Sequence, residues 1–377
     1  MRRSLPDLFA TGQLLAGMEL GAWRDTLCRA HWKVDPAYVP RAAWITALGA
    51  ASTLAARAED ARFGRAIASV EIDPSPLFVL GHWRSGTTHL QNCIGRMPDY
   101  TCPTTYQVVF PGSFLGTREL VGPLTAGLLP ETRGYDNVKM GWDEAAEDEI
   151  ALAKLTGLSP YLGAMFPADA PRYERYIDFL EAAPDEVDAW KDALRYFVKK
   201  LMYAAKGRQV VLKSCAHTAR IRLLLQLWPD ARFVFIHRHP YRVFASTLHL
   251  RAHTDWENFF QVPREGWEEE RARQTLALGE RIFDRYLADR ALIPAGQLAE
   301  IGYDDLVADE VGVLGEVFAT LGLQGWERGE PALRAYLAGV GPYTRNALAL
   351  DERDRARVDR AWESAFTAFG YSRDGGW

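Results

Sequence analysis

Four apolar residues, Leu77-Phe78-Val79-Leu80, run straight into Gly81-His82-Trp83-Arg84-Ser85-Gly86-Thr87-Thr88-His89-Leu90. Pro74 and Pro76 mark the entry, and an apolar run this short suits a parallel strand buried on both faces. The polar residues after it make a tight loop and then the start of a helix. Gly81 and Gly86 let the backbone turn sharply and come close to a ligand. The amides around Ser85 to Thr88 would open that helix, where the dipole favours an anion. The stretch therefore has phosphate-binding chemistry, with a plain helix cap as the alternative. It is not the ordinary triphosphate loop, G-x-x-x-x-G-K-[ST], because the cation Arg84 comes before the second glycine.

The strongest run of alternating elements lies further on. Gln209 to Ser214 reads as a strand, and His217 to Trp228 as a helix with Ile221, Leu224, Leu225 and Trp228 on one face. Pro229-Asp230 makes a turn, Arg232 to Arg238 is another strand, and Pro240 opens the next helix where its missing amide costs little. Ala299 to Tyr303 is a likewise short last strand, followed by a helix through Val313, Val317 and Phe318 to a cap at Gly322. This order predicts an α/β fold, a parallel β-sheet flanked by helices. Residues from about 5 to 68 have helical spacing at Leu14, Leu15, Met18, Trp44, Leu48 and Leu54, with Trp23 and Trp32 adding bulk. They read as an apron packed on the core, or alternatively as a partner or membrane-surface face. Residues 105–140 are rich in Gly and Pro and carry no clear assignment. The acidic run Asp143 to Glu149 leads into Ile150-Ala151-Leu152 and fits a helix's first turn, unless one carboxylate faces a cleft as a base. Two more helical patterns fill 171–205. The whole reads as one domain, 1–377, with a helical extension over 1–70, a core over 76–322 and a helical segment over 323–377.

Across 377 residues, 44 Lys and Arg against 49 Asp and Glu leave a net charge of −5. No general polyanion-binding surface follows, which argues against a nucleic-acid partner; any anion site is local. The cysteines Cys28, Cys93, Cys102 and Cys215 have no metal-ligand spacing and read as buried free thiols of a reducing compartment. No segment approaches a membrane span, and Pro6, Asp7 and Glu19 break the first apolar stretch after Met1-Arg2-Arg3. A cytoplasmic location is expected.

Parallel sheets bind ligands at the carboxyl ends of their strands. Arg84, Lys213 and Arg238 all fall at such ends, and three cations there fit a ligand with several negative charges. Here the chain resembles the sulfotransferases that use 3′-phosphoadenosine 5′-phosphosulfate (PAPS). Arg84-Ser85-Gly86-Thr87-Thr88 is similar to that family's 5′-phosphosulfate loop, in its branch with Arg in place of Lys. Arg238 to Ser246 is similar to its 3′-phosphate element, with an arginine ending a strand and a serine eight residues on. Tyr303-Asp304-Asp305-Leu306 resembles its Tyr-Glu-Asp-Leu stretch, with Asp304 in place of Glu. The resemblance implies a P-loop-like sulfotransferase fold and PAPS as co-substrate, without a metal. It places Arg84, Ser85, Gly86, Thr87 and Thr88 on the 5′-phosphate, Lys213 by the bridging oxygen or the sulfuryl group, Arg238 and Ser246 on the 3′-phosphate, and Tyr303 near the adenosine.

The base that takes the acceptor's proton is less constrained. Where some branches carry Glu after the first helix, this chain has Pro103-Thr104-Thr105-Tyr106; two residues after the strand-end lysine, where others carry His, it has Cys215. Glu147 is the favoured candidate, with His217 next and Glu149 also open. His82, His89, His237 and His239 lack paired ligand spacing and read as hydrogen-bonding helpers. Tyr343-Thr344-Arg345 could close over the nucleotide, or Arg345 could simply be exposed. The acceptor is a hydroxyl (or amine) of a carbohydrate, lipid, small alcohol or phenol, or peptide tyrosine. Tyr106, Phe110, Trp142, Tyr161, Phe166, Trp256 and Phe259 are its candidate lining. The alternatives are a small-molecule P-loop kinase, which should carry Gly-Lys-[Ser/Thr] and a magnesium-holding acid, and a non-catalytic nucleotide-binding protein. Monomer and homodimer both remain open.

Overall fold

The computed structural model describes residues 13–129, 131–132, 139–339, 348–374 and 377. The first residues of the expected N-terminal helices and Tyr343-Thr344-Arg345 lie outside them. Contacts divide the chain into two units, Met1–Glu71 with Pro103–Ala204 and Leu250–Trp267, and Ile72–Cys102 with Ala205–His249 and Glu268–Trp377.

The second unit holds the sheet. Its strands are β1 (Leu77–Leu80), β2 (Tyr100–Thr101), β3 (Gln209–Lys213), β4 (Arg232–His237) and β5 (Leu298–Gly302), in the order β2-β3-β1-β4-β5. All pairs are parallel, as the strand–helix alternation predicts. β1 is central and wholly buried, which is why it contains no alternation. Side chains in register share a face: Val79 pairs with both Lys213 and Val234, and Phe78 with Leu212 and Phe233. The Val79 face packs on Leu90, Ile94 and Met97 and on Leu314, Val317 and Phe318. On the other face Phe78 meets the rings of Phe233, Trp228 and His217. Each fully buried side chain of this size contributes roughly 1.5–3 kcal/mol, so β1 is anchored from both sides.

Two boundaries and the burial of two cysteines differ from expectation. The stretch from His217 is not one helix. A 3₁₀ turn covers Cys215–Ala219, capped by Ser214 Oγ accepting from the Ala216 amide at 3.2 Å, and the α-helix begins only at Ile221. Tyr303 opens the Tyr303–Ala308 helix rather than ending β5. Cys28 is an exposed thiol, on the solvent side of the Leu20–Arg29 helix, and Cys102 is half-buried; Cys93 and Cys215 are buried as expected, and all four are free.

The first unit is helical. The Val39–Ala68 helix is its longest element, with Phe114–Thr125, Asp148–Thr156 and Pro184–Ala205 also present. The unassigned segment after residue 104 forms helices because Thr104 and Gln107 make a reciprocal capping box. Lys200 is fully buried; its Nζ pairs with Glu59 and donates to the Pro111 carbonyl at 2.6 Å. Glu59 in turn accepts from the Gly116 amide at 2.7 Å. Lys154 donates to the carbonyls of Ala16 and Val109, and burial pulls its ammonium down to about 7. Trp44 and Leu54, expected to pack inward, are instead 42% and 68% exposed, and Trp32 is 60% exposed. Among the described residues no helix is long and apolar enough to cross a membrane.

Candidate active site

The loop after β1 needs its glycines. Gly81 has φ +147°, and a Cβ there would stand 2.6 Å from the Ile236 carbonyl oxygen. Its amide donates to Thr218 Oγ1 at 2.8 Å, and the same hydroxyl reaches back to the Gly81 carbonyl at 3.2 Å. Thr218 is fully buried in the 3₁₀ turn after β3 and so fixes the loop from behind. Arg84 itself has φ +71°, a left-handed conformation that costs a non-glycine residue of order 1 kcal/mol or more. Ser85 closes the turn, its amide and hydroxyl both donating to the His82 carbonyl, at 3.1 and 2.8 Å. Gly86, at φ +104°, precedes the Thr87–Gly95 helix with no side chain to cap it. A Cβ on Gly86 would collide with the Tyr303 ring.

The three stretches that carry the resemblance lock together, with Lys213 beside them. Arg84 Nε donates to Ser246 Oγ at 2.9 Å. Arg238 Nη1 donates to the Arg84 carbonyl at 3.1 Å, and its guanidinium lies 4.0 Å above the Tyr303 ring. Lys213 is 2% exposed, with Nζ 3.4 Å from Thr88 Oγ1. These side chains come from the ends of β1, β3, β4 and β5 and from the helices that follow. The structure thus brings Arg84, Ser85, Gly86, Thr87, Thr88, Lys213, Arg238, Ser246 and Tyr303 to one edge of the sheet. Gly86 and Tyr303 shape a cradle, and three cations border it, an arrangement that fits a phosphorylated nucleotide.

His217 is placed differently. It is fully buried and meets Phe78 edge-on at 5.5 Å, on the sheet face opposite the Val79–Lys213 row. Glu147 and Glu149 belong to the helical unit. Glu147 precedes the Asp148–Thr156 helix and accepts a hydrogen bond from the Tyr161 hydroxyl; Glu149, fully buried in the first turn, accepts from Ser159 Oγ at 2.7 Å. Of the aromatics proposed to line an acceptor pocket, Tyr106, Phe166 and Phe259 are core, while Phe110, Trp142, Tyr161 and Trp256 are half-buried.

The four flanking histidines do make hydrogen bonds or ion pairs. His89 Nε2 lies 3.3 Å from Glu310, His237 Nδ1 pairs with the Tyr371 hydroxyl at 2.8 Å, and His239 Nε2 with the Ser372 carbonyl at 3.0 Å. His237 also stacks on Phe369 at 4.7 Å. The C-terminal residues 369–372 therefore brace the residues on either side of Arg238, a support that sequence reasoning missed along with Thr218. His82 is buried against Phe283 and Trp362 with Nδ1 2.9 Å from the Trp83 carbonyl, and burial lowers it from 6.5 to about 4. A folded value below the unfolded one means the contribution is intact above about pH 6.5 and lost as pH falls toward 4. The loss runs at about 1.4 kcal/mol per pH unit, about 3 kcal/mol in all. Burial shifts His237 and His239 in the same direction. Urea unfolding at about pH 7 and about pH 5 is expected to show a smaller acid loss in His82→Gln than in the unsubstituted protein; equal losses would refute this.

The sequence profile of the Sulfotransferase family matches residues 76–328, well over half of the chain. The chain belongs to the sulfotransferase family. It is a transferase of that family, and the matched span begins at the Pro76 edge of β1. Similar curated proteins include the omega-hydroxy-beta-dihydromenaquinone-9 sulfotransferases Stf3 of Mycobacterium bovis and Mycobacterium tuberculosis. Each is 32% identical over 360 residues, covering 96% of this chain and 92% of the relative. Among solved structures, sulfotransferase STF9 from Mycobacterium avium superposes with a TM-score of 0.72 at 19% identity, over 99% of this chain and 98% of that one. Sulfotransferase STF1 from Mycobacterium tuberculosis gives 0.65 at 20% identity, over 94% and 98%. These two likenesses show the fold, and it is the sulfotransferase fold expected from the loop after β1.

Proposed function

We propose that this sulfotransferase moves a sulfuryl group from PAPS to the hydroxyl of a lipid. The observation that carries the donor assignment is the interlock of Arg84 with Ser246, Arg238 with Arg84 and Tyr303, and Lys213 with Thr88. Arg84 and the amides of the Thr87–Gly95 helix start are suited to the 5′-phosphate. Arg238 and Ser246 are suited to the 3′-phosphate, which separates this donor from ADP or ATP. In the transfer the acceptor oxygen bonds to sulfur as the bond from sulfur to the phosphate oxygen breaks, and the leaving oxygen keeps the electron pair. Lys213 would stabilise that growing charge. Glu147 takes the acceptor's proton in this reading. The Tyr161 hydroxyl bonded to it would hold the carboxylate's orientation, whereas His217 packs against Phe78.

The lipid acceptor is supported by the curated relatives, whose name specifies a hydroxylated menaquinone. Incubation with PAPS labelled in its sulfate and a total lipid extract is expected to put label into a lipid alcohol. Glu147→Gln is expected to lower that rate about 10²–10⁴-fold and to remove the acid limb of its pH profile, with His217→Ala retaining the limb. Label confined to water-soluble products would overturn the lipid assignment, and an unaltered profile in Glu147→Gln would overturn the base.

A further inference from the structure

The Val39–Ala68 helix turns an uncharged line of side chains to solvent. Pro40, Trp44, Ala47, Ala51, Leu54 and Ala58 follow at intervals of four, three, four, three and four residues, which places them along one side of the helix. All six are exposed. Between Pro36 and Ala56 the sole charged residue is Arg41, and it is buried, donating to the Phe259 carbonyl. The same line then continues into Arg62 and Arg65, both exposed, while the spacing puts Asp60 on the opposite side. From Pro40 to Arg65 the line is about 38 Å long.

Just before the helix the chain bends through His31 and Trp32, at φ +52° and +56°, and presents Trp32 outward beside the exposed Lys33. The turn ends the Leu20–Arg29 helix, the Trp32 amide donating to the Leu27 carbonyl at 2.8 Å, and at 60% exposure core packing does not account for the indole's position. Val39 is 52% exposed at the same end. Val262 is 56% exposed, and its amide donates to Asp35 Oδ2, which sets it beside this turn.

We propose that this face docks the protein on an anionic lipid bilayer, an inference that rests on the lipid acceptor proposed above. Two exposed tryptophans suit the headgroup level, where amphipathic rings partition. Lys33 at one end and Arg62 and Arg65 at the other suit lipid phosphates. A second copy of the chain is the poorer occupant. In a two-fold interface the face would meet itself, and this line offers cations with no carboxylate to answer them.

Flotation with phosphatidylcholine vesicles, with and without phosphatidylglycerol, tests this. The unsubstituted protein is expected to float with the anionic vesicles. Trp44→Ser combined with Leu54→Ser is expected to lower the bound fraction about tenfold or more. Arg62→Gln combined with Arg65→Gln is expected to lower it about fivefold per charge on anionic vesicles alone. All these side chains are exposed, so thermal melting should match the parent and separates lost docking from lost folding. No flotation by the parent, or equal flotation by the variants, overturns the proposal. So does a dimer in sedimentation that the Trp44 and Leu54 substitutions dissociate without any vesicle binding. Label transfer to detergent-dispersed lipid is a separate readout. If it persists while flotation fails, only docking falls; if flotation holds and no lipid is labelled, only the acceptor reading falls.

Discussion

Replacing Lys213 by methionine is expected to slow sulfuryl transfer about 10²–10³-fold, with a much smaller change in KM. Methionine keeps an unbranched stem of similar length, so the packing of β3 against β1 should survive. What it removes is an ammonium held at 2% exposure with Nζ 3.4 Å from Thr88 Oγ1. A cation fixed in a site with little water acts through a low dielectric and needs no reorganisation as charge develops on the leaving oxygen. Removing one such donor costs about 3–4 kcal/mol in the transition state. The contact is strongest when the bond to the bridging oxygen is breaking, so the loss should fall on kcat. Steady-state kinetics with saturating PAPS reads this directly. Turnover within about threefold of the parent would show that Lys213 holds Thr88 in place and does no more.

The parts of this site that could be read from residues alone are those set by local rules. β1 is visible because a fully buried strand has no polar alternation, and Pro76 and Gly81 bracket it. Arg84, Lys213 and Arg238 follow, because a parallel sheet exposes its strand ends on one edge. The rest depends on contacts made across the chain. Thr218 acts on Gly81 from 137 residues away, through a 3₁₀ turn that a helical pattern concealed. Tyr371 reaches His237 across 134 residues, and nothing near either one marks the pairing. β2 is two residues long and too short to carry any periodicity. His217 lies four residues past the strand-end lysine, but the 3₁₀ turn Cys215–Ala219 carries its ring to Phe78 while Lys213 follows Val79. The exposed line on the Val39–Ala68 helix has the reverse history. Its helical spacing was plain, but which side of the helix faces solvent is decided by what packs on the other.

Arg238→Ala is expected to erase the protein's preference for 3′-phosphoadenosine 5′-phosphate over ADP. In the parent, thermal stabilisation should be large with the first nucleotide and small with the second. At a ligand concentration about 100 times Kd it amounts to about 2.7 kcal/mol. Arg238 is well placed to make that distinction, since the Tyr303 ring and the Arg84 carbonyl hold its guanidinium on two sides. Its side chain is therefore ordered before the ligand arrives, and little rotamer entropy is lost on binding. Truncating one partner of a partly buried charge pair costs about 2–5 kcal/mol, so affinity for the 3′-phosphorylated nucleotide should fall at least about 30-fold. ADP has no 3′-phosphate, and its weak binding should barely move. Ser246→Ala, which removes one neutral hydroxyl, should cost about 1 kcal/mol. Arg238→Lys should recover only part of the loss, because a lysine cannot lie flat on Tyr303 and keep two donors directed at once. Equal weakening toward both nucleotides would mean that Arg238 only shapes the Arg84 loop. A parent protein that prefers ADP would overturn the donor assignment and bring back the kinase reading.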